Sequence, residues 1–352
     1  NLIGTNADGD ASLGNSVGVR IVNSAGHRIG GTATGAGNVI SGNVGSGVEL
    51  SGPSSSGNRL QGNLIGTDAT GILGVGNESW SVVIDGAPAN FIGGVEPGER
   101  NVISGSLGGV AVFGSGADGN RIQGNLIGTD ISGTADLGNE LQGIYLGEGS
   151  AFGSPGPSRN TRVGGTEPGA RNIVSGNDYA GILILESPNA DNLVQGNFIG
   201  TDITGALDLG NSAFGILVRE SSRNQIGGTT TAARNVISGN GSAGVQLSEL
   251  GADDNVVQGN YHGVEATGLA PLANDTRGVR IARGARNDIG GVGPGAGNII
   301  SRNLQGGLAI VGNAADDNVV RGNLIGTDAN GDQGLGNEFS GIFIGEGSLV
   351  IA

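Results

Sequence analysis

Residues 120–130 read NRIQGNLIGTD, and the rest of the chain repeats this stretch with different loops. The stretch holds one Asn-x-Ile-x-Gly unit that begins at Asn120 and a related unit that begins at Asn125. Successive copies of the second unit are 62, 62, 72, 63 and 63 residues apart. This regularity is typical of repeat proteins. The copies begin at Asn1, Asn63, Asn125, Asn197, Asn260 and Asn323.

Each repeat contains two turns of the same three short strands. Strand one reads NLIG or, halfway through the repeat, NVIS; strand two reads GVxI; strand three reads Asn-x-[Ile/Val]-x-Gly, and we assign it at Asn120 and Asn160 among other places. Apolar residues alternate with other residues in these strands, and Gly, Asn and Asp separate them, which predicts strands and turns rather than helices. The halfway copies of strand one begin at Asn38, Asn101, Asn172, Asn235 and Asn298.

A three-strand turn that recurs about every two dozen residues can pair each strand with its equivalent in the next turn. We therefore predict an all-β fold, a parallel β-helix of about eleven coils that forms a single domain over residues 1–352. At about 4.8 Å per coil its body is about 50 Å long. Asn recurs at the head of strand one in all eleven coils, so we expect a buried amide ladder beside a column of aliphatic side chains.

The NxIxGN and GVxI units resemble the right-handed parallel β-helix repeats of the pectin-lyase-like superfamily. The strings NLIGTDATG (63–71) and ARNVISGN (233–240) resemble those of large repeat-built bacterial surface and secreted proteins. The resemblance covers the whole chain and implies a right-handed parallel β-helix. It implies no single function, because the superfamily includes lyases, hydrolases, epimerases, phage tailspikes, adhesins and inert stalks.

Composition narrows the classes of function. The chain has no Cys and no Lys, and 32 acidic residues against 17 arginines give a net charge of −15. Disulfides and thiol chemistry are excluded. We expect no nucleic-acid partner, because phosphate binding needs a basic stripe, and no membrane span, because no apolar run is long enough. The absence of Cys fits a secreted protein and a cytosolic one equally well, and the resemblance favours a secreted or cell-surface location.

Two of the loops that follow strand one carry a candidate calcium site. Loops 5–15 and 327–337 place oxygen-bearing side chains at alternate positions around a Gly turn, an arrangement that suits hard cations such as Ca²⁺. The alternative is that these side chains cap tight turns through backbone hydrogen bonds, which we favour for the acids of the middle loops, Asp68, Asp130, Asp202 and Glu265. The candidate metal ligands are Asn6, Asp8, Asp10, Asp328, Asn330 and Asp332.

The alternative to a structural role is a polysaccharide lyase or glycoside hydrolase that acts through acidic loops. Paired carboxylates catalyse glycoside hydrolysis, and His262 with Glu265 could serve as acid and base. Repetition of one turn and drift in one degenerate repeat, NYHGV at 260–264, explain these residues without catalysis. We predict no catalytic and no cofactor-binding residue. A second acidic column precedes strand three at Asp118, Asp191, Asp253, Asp254, Asp316 and Asp317.

Two columns of apolar residues, one on strand one and one on strand two, and the two end coils are candidate contact surfaces for loops or for other copies of the chain. The middle residues of strand two from Val83 to Leu217 predict an exposed apolar patch, and we expect the long loops to cover the outward apolar residue of strand one. The end coils carry no cap and are compatible in register, which favours a head-to-tail filament, although a segment of a longer array would look the same. We therefore predict a structural or adhesive protein, a stalk or filament subunit rather than an enzyme. Its expected partners are copies of itself, head to tail or lateral, with a polysaccharide as a further candidate.

Overall fold

The computed structural model describes residues 1–149, 156–188 and 190–345. They form three parallel sheets, two of eleven strands and one of ten, in which every strand pairs with its equivalent in the next coil. Helical structure in these ranges is limited to one 3₁₀ turn, Thr231–Ala233. The predicted all-β parallel β-helix of stacked three-strand coils is confirmed.

The first sheet is built from strand one of each coil and contains β1 (Leu2–Ile3), β4 (Val39–Ile40), β7 (Leu64–Ile65), β10 (Val102–Ile103), β13 (Leu126–Ile127), β16 (Ile173–Val174), β19 (Phe198–Ile199), β22 (Val236–Ile237), β25 (Tyr261–His262), β28 (Ile299–Ile300) and β31 (Leu324–Ile325).

The second sheet contains β2 (Val19–Val22), β5 (Val48–Ser51), β8 (Trp80–Asp85), β11 (Gly108–Phe113), β14 (Ile144–Gly147), β17 (Ala180–Leu185), β20 (Phe214–Arg219), β23 (Val245–Ser248), β26 (Arg277–Ala282), β29 (Gly306–Val311) and β32 (Ser340–Gly345).

The third sheet contains β3 (Arg28–Gly30), β6 (Arg59–Gln61), β9 (Phe91–Gly93), β12 (Arg121–Gln123), β15 (Arg162–Gly164), β18 (Leu193–Gln195), β21 (Gln225–Gly227), β24 (Val256–Gln258), β27 (Asp288–Gly290) and β30 (Val319–Arg321).

Asparagine side chains form a ladder at the corner that precedes strand one. From Asn1 to Asn323, the Nδ2 of each asparagine donates to the Oδ1 of its equivalent in the next coil at 2.7–3.2 Å. The same Oδ1 accepts a backbone N–H, as Asn63 does from Asn38 at 3.1 Å. Because donor and acceptor groups of the buried amides are both used, the predicted ladder is confirmed.

Two further ladders lie at the other two corners, before strand two and before strand three. The ladder before strand two is interrupted by Ser106, whose backbone N–H still donates to Asn139 at 3.2 Å. In the ladder before strand three, Thr161 rather than Asn160 occupies the asparagine position, and its N–H donates to Asn192 at 2.9 Å. The assignment of Asn160 is therefore wrong by one residue, because the inward apolar residue Val163 follows Thr161 at the required spacing.

Coils with a long loop after strand one alternate with coils that lack one, and this alternation explains the two-coil repeat. Each long loop donates a backbone N–H to the long loop two coils earlier, as Ile131 does to the Gly71 carbonyl and Ile203 to the Gly133 carbonyl, both at 2.9 Å. Five such bonds join all six loops in one row, which ends with Ala329. A long loop thus occupies the height of two coils.

Serine and glycine attach each long loop to the coil before it. Ser104 Oγ donates to the Thr129 carbonyl at 2.7 Å and accepts the Gly128 N–H at 3.1 Å. Gly128 has a φ of +83°, and a Cβ there would lie 2.1 Å from the Ser175 carbonyl oxygen, so only glycine fits. NVIS and NLIG are therefore the two halves of one interlocking repeat.

Between the two end coils, where Leu2 and Leu324 are 41% and 37% exposed, the loops also cover the outward apolar residue of strand one, as predicted. Leu126, Phe198 and Tyr261 are at most 6% exposed and pack with Ile203 and Ala266 from the loops. This second apolar cluster lies outside the main aliphatic core of the coils. Burial of an aliphatic or aromatic side chain of this size contributes about 1.5–3 kcal/mol.

The column in the middle of strand two is not the exposed patch that the sequence predicts. Val83, Ala111, Leu183 and Leu217 are 3%, 0%, 8% and 4% exposed. Aromatic side chains of the same sheet cover this column, for example Trp80 against Val83 and Ala111. The rings over this column are half-buried, except that Phe113 is buried and Tyr179 is exposed.

Candidate functional site

The first and last long loops hold the residues predicted to bind calcium. In the first loop, Asn6 Oδ1 accepts the N–H of Asp10 at 3.0 Å and that of Ala11 at 3.3 Å, while Asn6 Nδ2 donates to Asp10 Oδ1 at 2.7 Å. In the last loop, Asp328 Oδ1 accepts the N–H groups of Gly331 at 2.8 Å and Asp332 at 3.1 Å. Both loops therefore use a side-chain oxygen to cap a turn.

The other predicted ligands, Asp8, Asn330 and Asp332, are exposed. The two loops lie in the first and last coils, so the structure does not bring them together. In the part of the chain that the structure describes, no three His, Cys, Asp or Glu side chains lie close enough together to hold a metal ion. Calcium binding at either loop stays a prediction.

The acids of the middle loops cap their own turns. Asp202 Oδ1 accepts the N–H groups of Ala206 at 3.1 Å and Leu207 at 3.0 Å, and the Thr204 hydroxyl donates at 2.8 Å. Burial alone would raise the pKa of Asp202, but these hydrogen bonds outweigh it and the pKa is lowered. The same bonds and the same pKa direction recur at the equivalent acids Asp68, Asp130 and Glu265.

The residue pair that an acid–base mechanism requires, His262 and Glu265, is not assembled. His262 is 0% exposed and lies in the aliphatic column of the first sheet, in register with Ile237 and Ile300. Burial lowers the pKa of its imidazole to about 3, which the neighbouring Asn298 amide only partly offsets. The Glu265 carboxylate accepts hydrogen bonds from its own loop. A buried neutral imidazole cannot exchange a proton with a substrate.

The degenerate repeat at His262 is not an irregularity of the backbone, because β25 pairs in register with the strands on both sides. The other histidine, His27, is exposed and joins the ladder before strand three only through its backbone N–H, which donates to Asn58 at 2.9 Å. Its Nε2 lies 2.7 Å from the Ser24 hydroxyl. Neither histidine faces a cluster of carboxylates.

The second acidic column forms ion pairs between coils. Asp191 lies 2.8 Å from Arg223, and Arg286 lies 3.2 Å from Asp253 and 2.8 Å from Asp254. These pairs are largely exposed, and such pairs contribute little to stability. They tie neighbouring turns together and do not converge on a shared substrate position.

Aromatic side chains gather on the outer face of the second sheet. The ring centroids of Trp80 and Tyr145 are 6.0 Å apart, and those of Phe113 and Tyr145 are 6.4 Å apart. In the two coils that follow, Tyr179 and Phe214 meet edge to face with centroids 6.0 Å apart. Aromatic rings on an open face can pack against the apolar face of a sugar.

The second ring pair borders a groove of about 510 Å³, which we call the sheet-two groove. Its floor includes Leu217, and its far side is polar: Arg280 Nη1 donates to Gln246 Oε1 at 3.1 Å. Arg283 also lines it and pairs with Glu249 at 3.0 Å. Among the described residues that line the groove, Glu249 is the only carboxylate. The groove therefore offers rings and guanidinium groups but no carboxylate pair for glycoside hydrolysis.

This groove was not predicted, although the places of its aromatic residues in the repeat can be read from the sequence. Tyr179 precedes Gly181 of strand two by two residues, Phe214 immediately precedes Gly215, and Trp80 immediately precedes Ser81 at the same place. These rings all lie within two residues of the start of strand two, at the same corner of their coils. Their position in the repeat, rather than their number, was the available signal.

No helix in the described part of the chain is long and apolar enough to cross a membrane.

Comparisons with known proteins identify no particular activity. No known protein family and no curated protein matches the sequence. The chain is similar to solved structures of a double mutant of the periplasmic alginate epimerase AlgG (12% identity, 97% of this chain and 69% of that chain covered, TM-score 0.40) and of the Dettilon tailspike protein gp208 (15%, 93% and 61%, 0.45). It is also similar to the Streptococcus pneumoniae surface protein and adhesin PfbA (13%, 95% and 92%, 0.31). At these identities the likeness concerns the fold alone.

Proposed function

We propose that this chain is a structural and adhesive module, a stiff β-helix rod that forms a stalk or filament segment of a secreted or cell-surface protein. The observation that supports it best is the ladder from Asn1 to Asn323, whose ten amide-to-amide hydrogen bonds join all eleven coils without a break. Stacked amide ladders of this kind resist separation of the strands. A rod of this construction keeps two attached parts at a fixed distance.

The row of long loops supports the same function. Its five hydrogen bonds of 2.9–3.0 Å run parallel to the ladders on the outside of the first sheet. Bending the rod would stretch this row or one of the ladders, depending on the direction of the bend. The acids that an enzyme would need are occupied in capping these loops, which favours a structural role for them.

Assembly with further copies follows two routes, head to tail or side by side. Coils with a long loop alternate with coils without one along the whole rod. We favour side-by-side contact, which joins rods along their faces and leaves this alternation unchanged.

For the adhesive role, we propose that the sheet-two groove binds a polysaccharide. Tyr179 and Phe214 would pack on sugar rings, while Arg280 and Gln246 would hold hydroxyl or carboxylate groups. A panel of neutral and acidic polysaccharides should retard the chain in affinity electrophoresis. Tyr179→Ala and Arg280→Ala should each weaken retardation about tenfold.

Two controls make this test specific. Phe91→Ala removes an aromatic ring from the third sheet and should leave retardation unchanged. The same mixtures are then assayed for new unsaturated or reducing ends. Product that is lost in Glu265→Gln would support the lyase or hydrolase alternative through the acidic loops; absence of both binding and product would refute the adhesive role.

A further inference from the structure

The outer face of the third sheet has an uneven distribution of charge along the rod. The first residue of each strand points outward, and the ten residues form one column in continuous pairing register, which we call the sheet-three column. Its members, in coil order, are Arg28, Arg59, Phe91, Arg121, Arg162, Leu193, Gln225, Val256, Asp288 and Val319.

The first half of the column is basic, and among the described residues the three positions that lead into each of its five strands hold one acid in all, Asp118. Arg28 pairs in register with Arg59, and Arg121 with Arg162. None of these four arginines forms an ion pair within the described residues. Like charges directly opposite each other in a sheet are destabilising, so a rod with a net charge of −15 has concentrated uncompensated positive charge on one short face.

The second half of the same face is acidic. Asp288 lies in the column, and further acids lie in the turns that lead into its last five strands. Arginines in the same region are outnumbered, since Arg223, Arg286 and Arg321 face six acids. The ion pair of Asp288 with Arg321 is long, 3.4 Å, and exposed, so it holds Asp288 only weakly. The acids are Asp191, Asp253, Asp254, Asp288, Asp316 and Asp317.

We propose that the sheet-three column is a self-complementary interface through which two copies of this rod associate side by side and antiparallel. A two-fold axis between β15 and β18 places each strand of one copy against the strand equally far from the axis in the other, as an isologous interface requires. Arg59 then faces Asp288 of the second copy, and Phe91 faces Val256. Arg28 lies opposite the turn of Asp316 and Asp317.

The size of the face sets the strength of this contact. Ten strands at about 4.8 Å spacing and three residues in width give a face about 43 Å long and about 10 Å wide. The total area buried by two copies is therefore below about 1,000 Å², in the range of weak or transient interfaces. The association is a weak lateral contact between rods, and many such contacts along longer arrays reinforce one another.

Charge exchange tests this proposal more cleanly than added salt, because salt also screens the overall repulsion between two copies of charge −15. Arg59→Asp and Asp288→Arg each place like charges at both equivalent contacts of the dimer. Each should lower the association constant at least about tenfold in sedimentation equilibrium. In a mixed dimer of the two variants, each of the two contacts again joins one carboxylate to one guanidinium group. The association constant of the mixture should therefore return to within about threefold of the unchanged chain.

Arg302→Asp, an exposed charge change outside the column, is the matched control and should associate normally. The proposal extends the rod function above, and electron microscopy of single rods reports on that function independently of association. An unchanged chain that stays monomeric, or a mixture that is not restored, would overturn the proposal. Binding of inorganic polyphosphate that Arg59→Asp abolishes, without self-association, would overturn it too and assign the face to a polyanion.

Discussion

The guanidinium carbon of Arg59 lies 4.5 Å from the ring centroid of Phe91, its pairing neighbour in the next coil. On the other side of the ring, Arg121 lies 5.4 Å from the same centroid. An aromatic ring attracts a cation over its face, so Phe91 separates two pairs of arginines and stabilises the inner member of each. The repulsion within each pair, Arg28 with Arg59 and Arg121 with Arg162, is left without compensation in the single rod.

Replacing one member of a like-charged pair should therefore stabilise the rod. Arg162→Glu places opposite charges in register with Arg121 and should raise the free energy of unfolding by about 0.2–1 kcal/mol. Urea unfolding at a protein concentration too low for association measures this change. Arg162→Gln separates relief of repulsion from gain of attraction. A loss of stability in both variants would mean that the arginines have compensating contacts within the rod.

The central asparagine ladder should be intolerant of truncation. Asn172 is 0% exposed; its Nδ2 donates to Asn197 Oδ1 at 2.9 Å, and its Oδ1 accepts two bonds from Asn125. Asn172→Ala leaves these buried groups without partners and should cost about 2–4 kcal/mol in free energy of unfolding. The exposed Asn330→Ala should change it by less than about 0.5 kcal/mol. Equal effects of the two substitutions would argue against the ladder as the main source of stiffness.

His262 makes the rod sensitive to acid. Its pKa is about 3 in the folded chain against 6.5 for a free imidazole, so below about pH 6.5 the unfolded chain binds a proton that the folded chain does not. The contribution of this residue to stability is complete above that pH and is lost as pH falls from about 6.5 to about 3, by about 1.4 kcal/mol per pH unit.

His262→Ile should remove this loss and should also raise stability at neutral pH, because it replaces buried nitrogens with an aliphatic side chain of the surrounding column. The difference in unfolding free energy between this variant and the unchanged chain should therefore widen as pH falls. The exposed His27→Asn serves as the control and should keep the original dependence. Parallel stability curves for His262→Ile and the unchanged chain would show that the imidazole is accessible to protons.

Calcium binding by the terminal loops would appear as thermal stabilisation. An ion that binds only the folded loops raises the melting temperature, and excess chelator should reverse the rise. Asp8→Ala combined with Asp332→Ala should abolish it, because the pair removes one predicted oxygen ligand from each loop, whereas Thr134→Ala in a middle loop should not. An identical melting temperature with calcium and with chelator would end this hypothesis.

The sequence was sufficient for the backbone because the repeat fixes which residues stack. Asn at the head of strand one returns at the same place in every coil, and an aliphatic residue follows two positions later in every coil except that of His262. Vertical pairing turns that periodicity into ladders and columns. The ladder before strand two could also have been predicted, since Gly-Asn regularly precedes that strand, as at Asn43 and Asn177. Thr161 was not predicted as a member of the ladder before strand three, because the neighbouring Asn160 was assigned to that position.

The surfaces were harder to predict, because they depend on what lies beside a residue in space. The net charge of the whole chain does not reveal the basic half of the sheet-three column. Arg59 and Arg121, which are 62 residues apart in the sequence, lie on either side of Phe91 in that column. The low aromatic content of the chain likewise gives no indication that Tyr179 contacts Phe214. Loop sequences indicated oxygen ligands at Asp328, yet the hydrogen bonds of its carboxylate depend on how the loop closes. Predicting each of these three features requires knowledge of the three-dimensional positions of neighbouring residues.

Negative-stain electron microscopy of the purified chain tests the central claim, a stiff rod held by unbroken ladders, most directly. Straight particles of uniform width are expected, about 50 Å long for eleven coils at about 4.8 Å each, single or joined side by side. Long unbranched filaments would show instead that the end coils join head to tail. Particles that bend, vary in length or show no rod would contradict the claim.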